Sequence, residues 1–461
     1  MPNIFSRQVI LSWVLIGLAA PLAAQAGGFT IIEMGAKKTG MMAGIAKPDD
    51  LSAVYHNPAG LADLHGTRLH LSSGFSFVHA EVRLKAWEQG GEGFYGAEDY
   101  IDTPIGDDGY YEGIIKPTKY FGAMPMFVAS SDFGWEDGPV WAFSFYVPDF
   151  IGAFLPEDAP TRYVVVEGYF VAAVSSITCA YRLPDPVDWI TVGASLGVIY
   201  VRIEGKKWLN LQSLAEYNTD FLISQVGEDY RPFYNFGVTV DILPELTVGL
   251  AFIGGADVSL KGRLEIDLAP GTEMDPILES LDLGLEGAYD MTQTMKVPAG
   301  LGLGVNWEII PELELAFDFR YWFYGVFETQ NIYHNIDIEL LGEPAIENPM
   351  VTRKDYEGSW TISAGVLVKP FEFPLEFMGG GTYDHSPAPN KTRSLETPTV
   401  NLAGFGLGTR YTLLDMWRLS VTYYHYWYLK SEISNSILEP PQNSIFQGTV
   451  DTFSIQVEVV F

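Results

Sequence analysis

The chain has 461 residues, with 58 acidic against 27 basic side chains, and its formal net charge is −31 at pH 7. This charge argues against nucleic acids and anionic surfaces as partners bound by electrostatic attraction, because both would be repelled. A single cysteine, Cys179, excludes a fold that depends on disulfides. A hydrophobic content of 48% without any long apolar helix suits a fold in which only every second residue must be apolar.

The first residues predict an export signal. Arg7 precedes an apolar run over 9–24, and Ala24-Gln25-Ala26 fits the small-x-small cleavage pattern. The run is short for a membrane-spanning helix, although a retained anchor is the alternative. We therefore predict a signal peptide over 1–26.

Residues 27–66 are rich in glycine and small residues and lack the alternation of a strand. Several large apolar side chains here need burial. They are Phe29, Ile31, Ile32, Met34, Met41, Met42 and Ile45. The pattern predicts a compact segment that packs inside the rest of the fold.

Fourteen strand-like stretches follow, and the connections between them are alternately short and long. Tight turns on one side of a bilayer and long loops on the other are typical of a transmembrane β-barrel, with both chain ends on the periplasmic turn side. We therefore predict an all-β, antiparallel, fourteen-stranded barrel over 67–461. The predicted strands are 67–84, 119–131, 138–149, 169–183, 189–204, 231–243, 245–257, 292–307, 312–329, 356–369, 373–384, 400–413, 416–430 and 447–461.

The last stretch shows the alternation most clearly. From Phe453 to Phe461 the odd positions are all apolar and the even positions are mostly polar, so one face can meet lipid and the other a polar lumen. We expect the barrel assembly machinery to recognise the terminal Phe461. The lumen of a fourteen-stranded barrel is wider than one that side chains can fill and narrower than that of an open aqueous channel. We therefore expect residues 27–66 to plug it.

Catalytic and metal motifs are weak. Residues 193–197 match G-x-S-x-G, but that motif needs a strand–turn–helix corner and here it sits mid-strand. The seven histidines have no metal-ligand spacing. We predict no enzyme activity, cofactor or metal. An outer-membrane lipid hydrolase is the alternative from a different class, and it would need a serine and a histidine to converge.

Two predicted long loops carry apolar residues at helical spacing. Exposed apolar faces of this kind pack on each other or bind an apolar ligand, and the sequence leaves both interpretations open. The ligand-binding candidates are Trp208, Leu211, Leu214 and Phe221 in the 205–230 loop, and Leu278 and Leu281 in the 258–291 loop.

Several motifs resemble the FadL-type outer-membrane channels, which include TodX-like relatives. They are Gly27-Gly28-Phe29, Asp49-Asp50-Leu51 and Asn57-Pro58-Ala59 near the N-terminus, with 179–183, 297–300 and 383–389 later in the chain. The resemblance implies a barrel plugged by an N-terminal hatch over 27–66, an inner acyl pocket, and a kinked third strand with a lateral gap. It also implies passive uptake of long-chain fatty acids or similar hydrophobic molecules across the bacterial outer membrane. Uptake of neutral or aromatic hydrocarbons is the alternative.

The third predicted strand contains Pro148, which cannot donate a ladder hydrogen bond. We expect Asn57-Pro58-Ala59 to lie against Tyr146-Val147-Pro148 as a gate, with Asn57 bonding to the freed backbone. A proline that simply ends the strand is the alternative.

A fatty acid would also need local cations for its carboxylate, because the overall charge is negative. The candidates are Arg202, Arg353 and Lys354, and ordinary pairing with nearby acids is their alternative role. Outer-membrane lipid and lipopolysaccharide are the expected surroundings. The acids of the 85–118 loop are either solvated or bridged to lipopolysaccharide by divalent cations.

Overall fold

The computed structural model describes residues 34–461, except 88–102, 120, 136, 211–219, 273–285, 341–342, 345 and 371–372. The predicted signal peptide therefore lies outside the described residues. Among the residues described, no helix is long and apolar enough to cross a membrane.

The described chain is dominated by one closed antiparallel sheet of fourteen barrel strands, as predicted. The last strand pairs with the first from Arg68↔Val460 to Leu84↔Ser444, which closes the barrel. The strands are β1 (Arg68–Leu84), β2 (Phe121–Ser131), β3 (Val140–Phe154), β4 (Glu167–Arg182), β5 (Ile190–Asn210), β6 (Asp220–Leu243), β7 (Leu246–Ile253 and Ala256–Leu268), β8 (Gly287–Val297 and Gly300–Ile310), β9 (Leu313–Trp322 and Thr329–His334), β10 (Met350–Arg353 and Ser359–Val368), β11 (Leu375–Asp384), β12 (Leu402–Leu413), β13 (Trp417–Ile433) and β14 (Ser444–Val460).

Strands β7 to β10 differ from the prediction, because each consists of two segments and reaches into a region expected to be loop. In β8 the interruption falls at Pro298, which has no N–H to donate. In β7 it falls at Gly254-Gly255. Pairing resumes beyond both breaks. Local sequence marks these interruptions, but only the neighbouring strands show that the ladder continues past them.

The helical reading of the 205–230 loop is wrong for the described residues. Strand β5 continues to Asn210 and β6 begins at Asp220, with Trp208 opposite Leu222 and Leu209 opposite Phe221. The cross-strand ladder overrides the local spacing of apolar residues, because it satisfies the backbone of both strands at once.

The two faces of the wall alternate as the sequence indicates. In β5, Leu196 and Val198 are exposed while Ser195 and Ile199 are buried. Exposed apolar side chains recur around the barrel, for example Leu71, Phe143, Leu250, Phe317, Leu407 and Ile455. This outer band matches a lipid-facing surface, and the inner face carries the polar residues.

Residues 34–66, called the hatch segment below, lie against the inner wall. They form two short α-helices, α1 (Ala36–Met41) and α2 (Ala53–His56), and a 3₁₀ helix over Pro58–Asp63. Helix α1 contacts β10 to β14, and the 3₁₀ helix contacts β3 to β6. Nearly every residue from 34 to 62 is buried, which the apolar content of this segment requires.

Candidate transport pathway

The hatch segment is anchored to β12 by a buried arginine. Arg410 is fully buried, and its Nη1 and Nη2 donate to the two carboxylate oxygens of Asp49 at 2.7 and 2.8 Å. Nη1 also lies 2.9 Å from Glu376 of β11. Burial alone would raise the pKa of the Asp49 carboxyl, but the charges of Arg410 and Lys37 outweigh it and hold that pKa far below its usual range. Asp49 is therefore ionised, and the pair fixes the segment to the wall.

Helix α1 is held on the other side by two lysines. Lys37 pairs with Glu314, and Lys38 Nζ lies 2.8 Å from Asp318, both acids belonging to β9. The backbone N–H of Gly44 also donates to Asp318, at 2.8 Å. These buried lysines are thus neutralised by acids on inward positions of the wall.

The expected hydrogen bonding of Asn57 to the backbone near Pro148 is wrong. Asn57 Nδ2 donates to the carbonyls of Ile45, at 2.9 Å, and Val238 of β6, at 3.3 Å, while Oδ1 accepts from Ala59 N. A side chain on Gly237 would come within 1.9 Å of Asn57 Oδ1, so only glycine admits this approach. The motif therefore packs mainly against β5 and β6, where small residues leave room, and its polar atoms are used there.

The hatch segment also meets the third strand through Tyr55. The ring centroids of Tyr55 and Tyr146 are 5.5 Å apart, and Tyr146 is fully buried. Tyr146 in turn lies 6.4 Å from the ring of Phe233. An aromatic bridge thus runs from the hatch segment to β3.

Tyr146 also marks the limit of pairing between β2 and β3. The ladder runs from Ser131↔Trp141 to Met126↔Tyr146, and no further β2–β3 pair is found among the described residues. On the β4 side, Val147 and Pro148 are skipped before pairing resumes at Asp149↔Ala172. This loss of pairing is what Pro148 predicts.

The chain closes again above this opening, where Thr118 N donates to Phe154 O at 2.8 Å. The result is a window in the wall between β2 and the outer half of β3. Apolar side chains pack against one another beside this break in the ladder. They are Met124, Val147, Phe150, Tyr169 and Val171.

A small cavity lies in the lumen on the loop side of the hatch segment. It has a volume of about 120 Å³ and contains Phe170, Ile203, Met295 and Phe327 among its lining residues. Ligand pockets usually measure roughly 300–1,000 Å³, so an acyl chain would need side chains to move.

Lys354 and Arg353, both predicted to bind a carboxylate, have different surroundings. Lys354 is 1% exposed and its Nζ has no hydrogen-bond partner among the residues that the structure describes, whereas Arg353 is exposed and pairs with Asp355 at 2.6 Å. The backbone N–H of Lys354 donates to the backbone carbonyl of Glu328, the residue after Phe327 of the cavity lining. Of these two residues, only Lys354 is buried, and no ion pair to it is found among the described residues.

The remaining predicted ligand residues that the structure describes do not converge. Arg202 lies in the outward-facing series of β5 and pairs with Glu204 and Glu228. Trp208 packs on Tyr163 with ring centroids 6.4 Å apart. Phe221 is buried in a separate cluster with Ile223, Leu264, Ile266 and Met291. Leu211, Leu214, Leu278 and Leu281 lie outside the described residues.

The sequence analysis did not predict the buried ion pair between Arg410 and Asp49, and it assigned no role to Ser195. The available signal for Arg410 was an arginine at an inward strand position, but its partner is 361 residues away. Ser195, the serine of G-x-S-x-G, shares a hydrogen bond with Thr178 at 2.8 Å inside the wall.

A closed barrel of fourteen antiparallel strands, with an apolar outer band and an N-terminal segment against its inner wall, is the architecture of an outer-membrane transport protein. The family described as outer membrane protein transport protein (OMPP1/FadL/TodX) matches residues 17–461. The chain belongs to this family.

Solved structures agree on the fold. A FadL homologue from Pseudomonas aeruginosa is 16% identical, with a TM-score of 0.77 over 94% of this chain and 100% of its own. The toluene transporter TodX of P. putida is 13% identical, with a TM-score of 0.65 over 94% and 99%. The toluene transporter TbuX of Ralstonia pickettii is 13% identical, with a TM-score of 0.62 over 95% and 99%. No curated protein matches the chain in sequence.

Proposed function

We propose that this protein is a channel for passive uptake of long-chain fatty acids or similar amphiphilic carboxylates across the outer membrane. Lys354 carries the proposal, because it is buried and its Nζ has no partner. A buried ammonium without an acid is costly, and a carboxylate is the ligand that compensates it. The small cavity lined by Phe327, one residue before Glu328 to whose carbonyl the Lys354 N–H donates, offers apolar side chains to an acyl chain, although charged residues such as Glu167 and Lys206 also line it.

We further propose that the solute leaves sideways through the window between β2 and β3. The window lining is apolar, so it suits an acyl chain and not an ion. Such a solute crosses the polar surface leaflet poorly but is stable in hydrocarbon, so release into the membrane interior is downhill. No chemical step is required.

Uptake of a neutral hydrocarbon is the second candidate. The relatives TodX and TbuX are toluene transporters by description. The aromatic bridge of Tyr55, Tyr146 and Phe233 would suit such a ligand.

Ligand competition tests the choice between them. The purified protein is equilibrated with palmitate, methyl palmitate and toluene, and the bound species are measured by mass spectrometry. We expect palmitate to bind more tightly than its ester. Equal binding of acid and ester, with toluene competing against both, would favour the hydrocarbon channel.

A crosslink tests lateral release. In a Cys179→Ser background, Met124→Cys and Phe150→Cys place thiols on β2 and β3 at the window, and a short bifunctional thiol reagent joins them. We expect the joined protein to lose uptake. The control joins Val128→Cys and Ser144→Cys, which are already ladder partners, and should keep uptake. Normal uptake through the crosslinked window would refute this exit.

A further inference from the structure

Arg320 is a second buried cation that the fold leaves without an acid. It lies on the first segment of β9 and is 3% exposed. Neither Nη1 nor Nη2 has a hydrogen-bond partner, and no ion pair to Arg320 is found among the described residues. A guanidinium in this state retains most of its capacity to bind an anion, because the N–H groups of its two Nη atoms are unused.

The contacts of Arg320 are aromatic. Its Cζ lies 5.7 Å from the ring centre of Tyr55 and 5.5 Å from that of Trp322. Cation–π contacts stabilise the charge without occupying the N–H groups. The guanidinium is therefore held in place and still able to donate.

The acids around it are engaged elsewhere. Asp318, two residues earlier on the same face of β9, accepts from Lys38 Nζ and from the backbone N–H groups of Gly44 and Ile45. Asp384 lies two strands away and accepts from Thr361, the ladder partner of Arg320. The charge of Arg320 is thus not matched by an ion pair.

His56 is consistent with a local excess of positive charge. Burial, together with the charges of Arg320 and Lys38, holds the pKa of the His56 ring well below its usual range. Its Nε2 lies 2.6 Å from the carbonyl of Met34 and donates to it. The neutral ring adds no charge to the site.

The position of Arg320 relates it to the exit. Tyr55, which it contacts, lies against Tyr146, the last residue of β3 paired with β2. A single side chain of the hatch segment, that of Tyr55, therefore separates Arg320 from Tyr146 at the window.

We propose that Arg320 is a second carboxylate-binding residue, which holds the head group of the acid as it passes over the hatch segment toward the window. This inference rests on the proposed function, because it assumes a carboxylate solute. The route of the solute would then contain two cationic residues that bind its carboxylate, Lys354 and Arg320. A neutral ester would form an ion pair with neither residue.

The test compares uptake of palmitate and methyl palmitate in proteoliposomes. The proteins are the wild type, Arg320→Met, Arg320→Lys and a matched control, Arg83→Met. Arg83 is partly exposed and pairs with Asp108 at 2.6 Å, away from the lumen. Equilibrium binding in detergent is measured in parallel, and heat-modifiable gel mobility reports barrel assembly.

We expect Arg320→Met to lower the acid-to-ester uptake ratio about tenfold, the loss corresponding to one charge-assisted hydrogen bond. Arg320→Lys keeps the charge and should retain most of the ratio, and Arg83→Met should leave it unchanged. An unchanged ratio in Arg320→Met, with a wild type that prefers the acid, overturns this inference alone. A wild type without preference for the acid overturns the proposed function first. If neither Arg320 variant assembles, the residue serves folding and the inference fails.

Discussion

Two groups of buried cations in the lumen differ in whether an acid lies within ion-pair distance. The cations of the first group bind the hatch segment to the wall, and each has an acid within ion-pair distance. They are Lys37 with Glu314, Lys38 with Asp318, and Arg410 with Asp49 and Glu376. The second group is Lys354 and Arg320, which are buried as well, and neither has such an acid among the described residues, although Arg320 also contacts the hatch segment through Tyr55.

The difference separates anchoring from binding. Removing one member of a buried pair leaves the other charge uncompensated, so paired charges fix one arrangement of the chain. An unpaired buried cation has no such task, and it destabilises the fold until an anion reaches it. The contrast predicts that substitutions in the two regions fail in different ways.

The largest effect is expected at Arg410. Arg410→Ala leaves Asp49 and Glu376 without their cation, a loss of about 3–5 kcal/mol for a buried pair. The hatch segment should detach while the barrel stays assembled. Trypsin should then cut at Lys37 and Lys38, which are buried at 2% and 4% exposure in the wild type.

The matched control for that experiment is Arg182→Ala. Arg182 also pairs with an acid of the hatch segment, Asp63, at 2.9 Å, but both side chains are 40% or more exposed. An exposed pair contributes about 0–1 kcal/mol, so trypsin should gain little access. Equal cleavage in both variants would contradict the distinction between buried and exposed anchors.

The next effect concerns the two neighbouring cations. Lys354→Met should weaken palmitate binding about tenfold and leave methyl palmitate unchanged, because one charge-assisted interaction is lost. Arg353→Met should change neither, since Arg353 is exposed and paired with Asp355. Isothermal titration of the purified variants measures both affinities. A larger effect at Arg353 would place the head group outside the lumen.

A moderate effect is expected at Asn57. Asn57→Ala removes hydrogen bonds to Ile45 and Val238 and the acceptor for Ala59, at a cost of roughly 1–3 kcal/mol for the buried groups left unpaired. Uptake should fall while gel mobility shows an assembled barrel. Wild-type uptake at normal expression would remove Asn57 from the gate.

The smallest effect is expected at Arg202. Its guanidinium is on the outer face of β5 and is already paired with Glu204 and Glu228. Arg202→Ala should leave the preference for acid over ester within error in the uptake assay. A clear loss of preference would return this residue to the ligand path.

The sequence alone determined the barrel. A period of two along each strand decides which side chains meet lipid, and turn residues between strands decide the parity of the connections, so both are encoded locally. The fourteen strands, the β14–β1 closure and the loss of pairing at Pro148 follow from such patterns. The family resemblance was carried by short motifs, and it too could be read from the chain.

Only the tertiary structure decided which charges are paired. Lys354 and Arg353 are neighbours in sequence, yet one is buried without an acid and the other is paired at the surface. The position of Asn57 depended on Gly237, 180 residues later, and Arg410 found Asp49 across the lumen. Alternation along a strand gives the face on which a charge lies, but its partner comes from whichever strand or segment the closed barrel brings opposite.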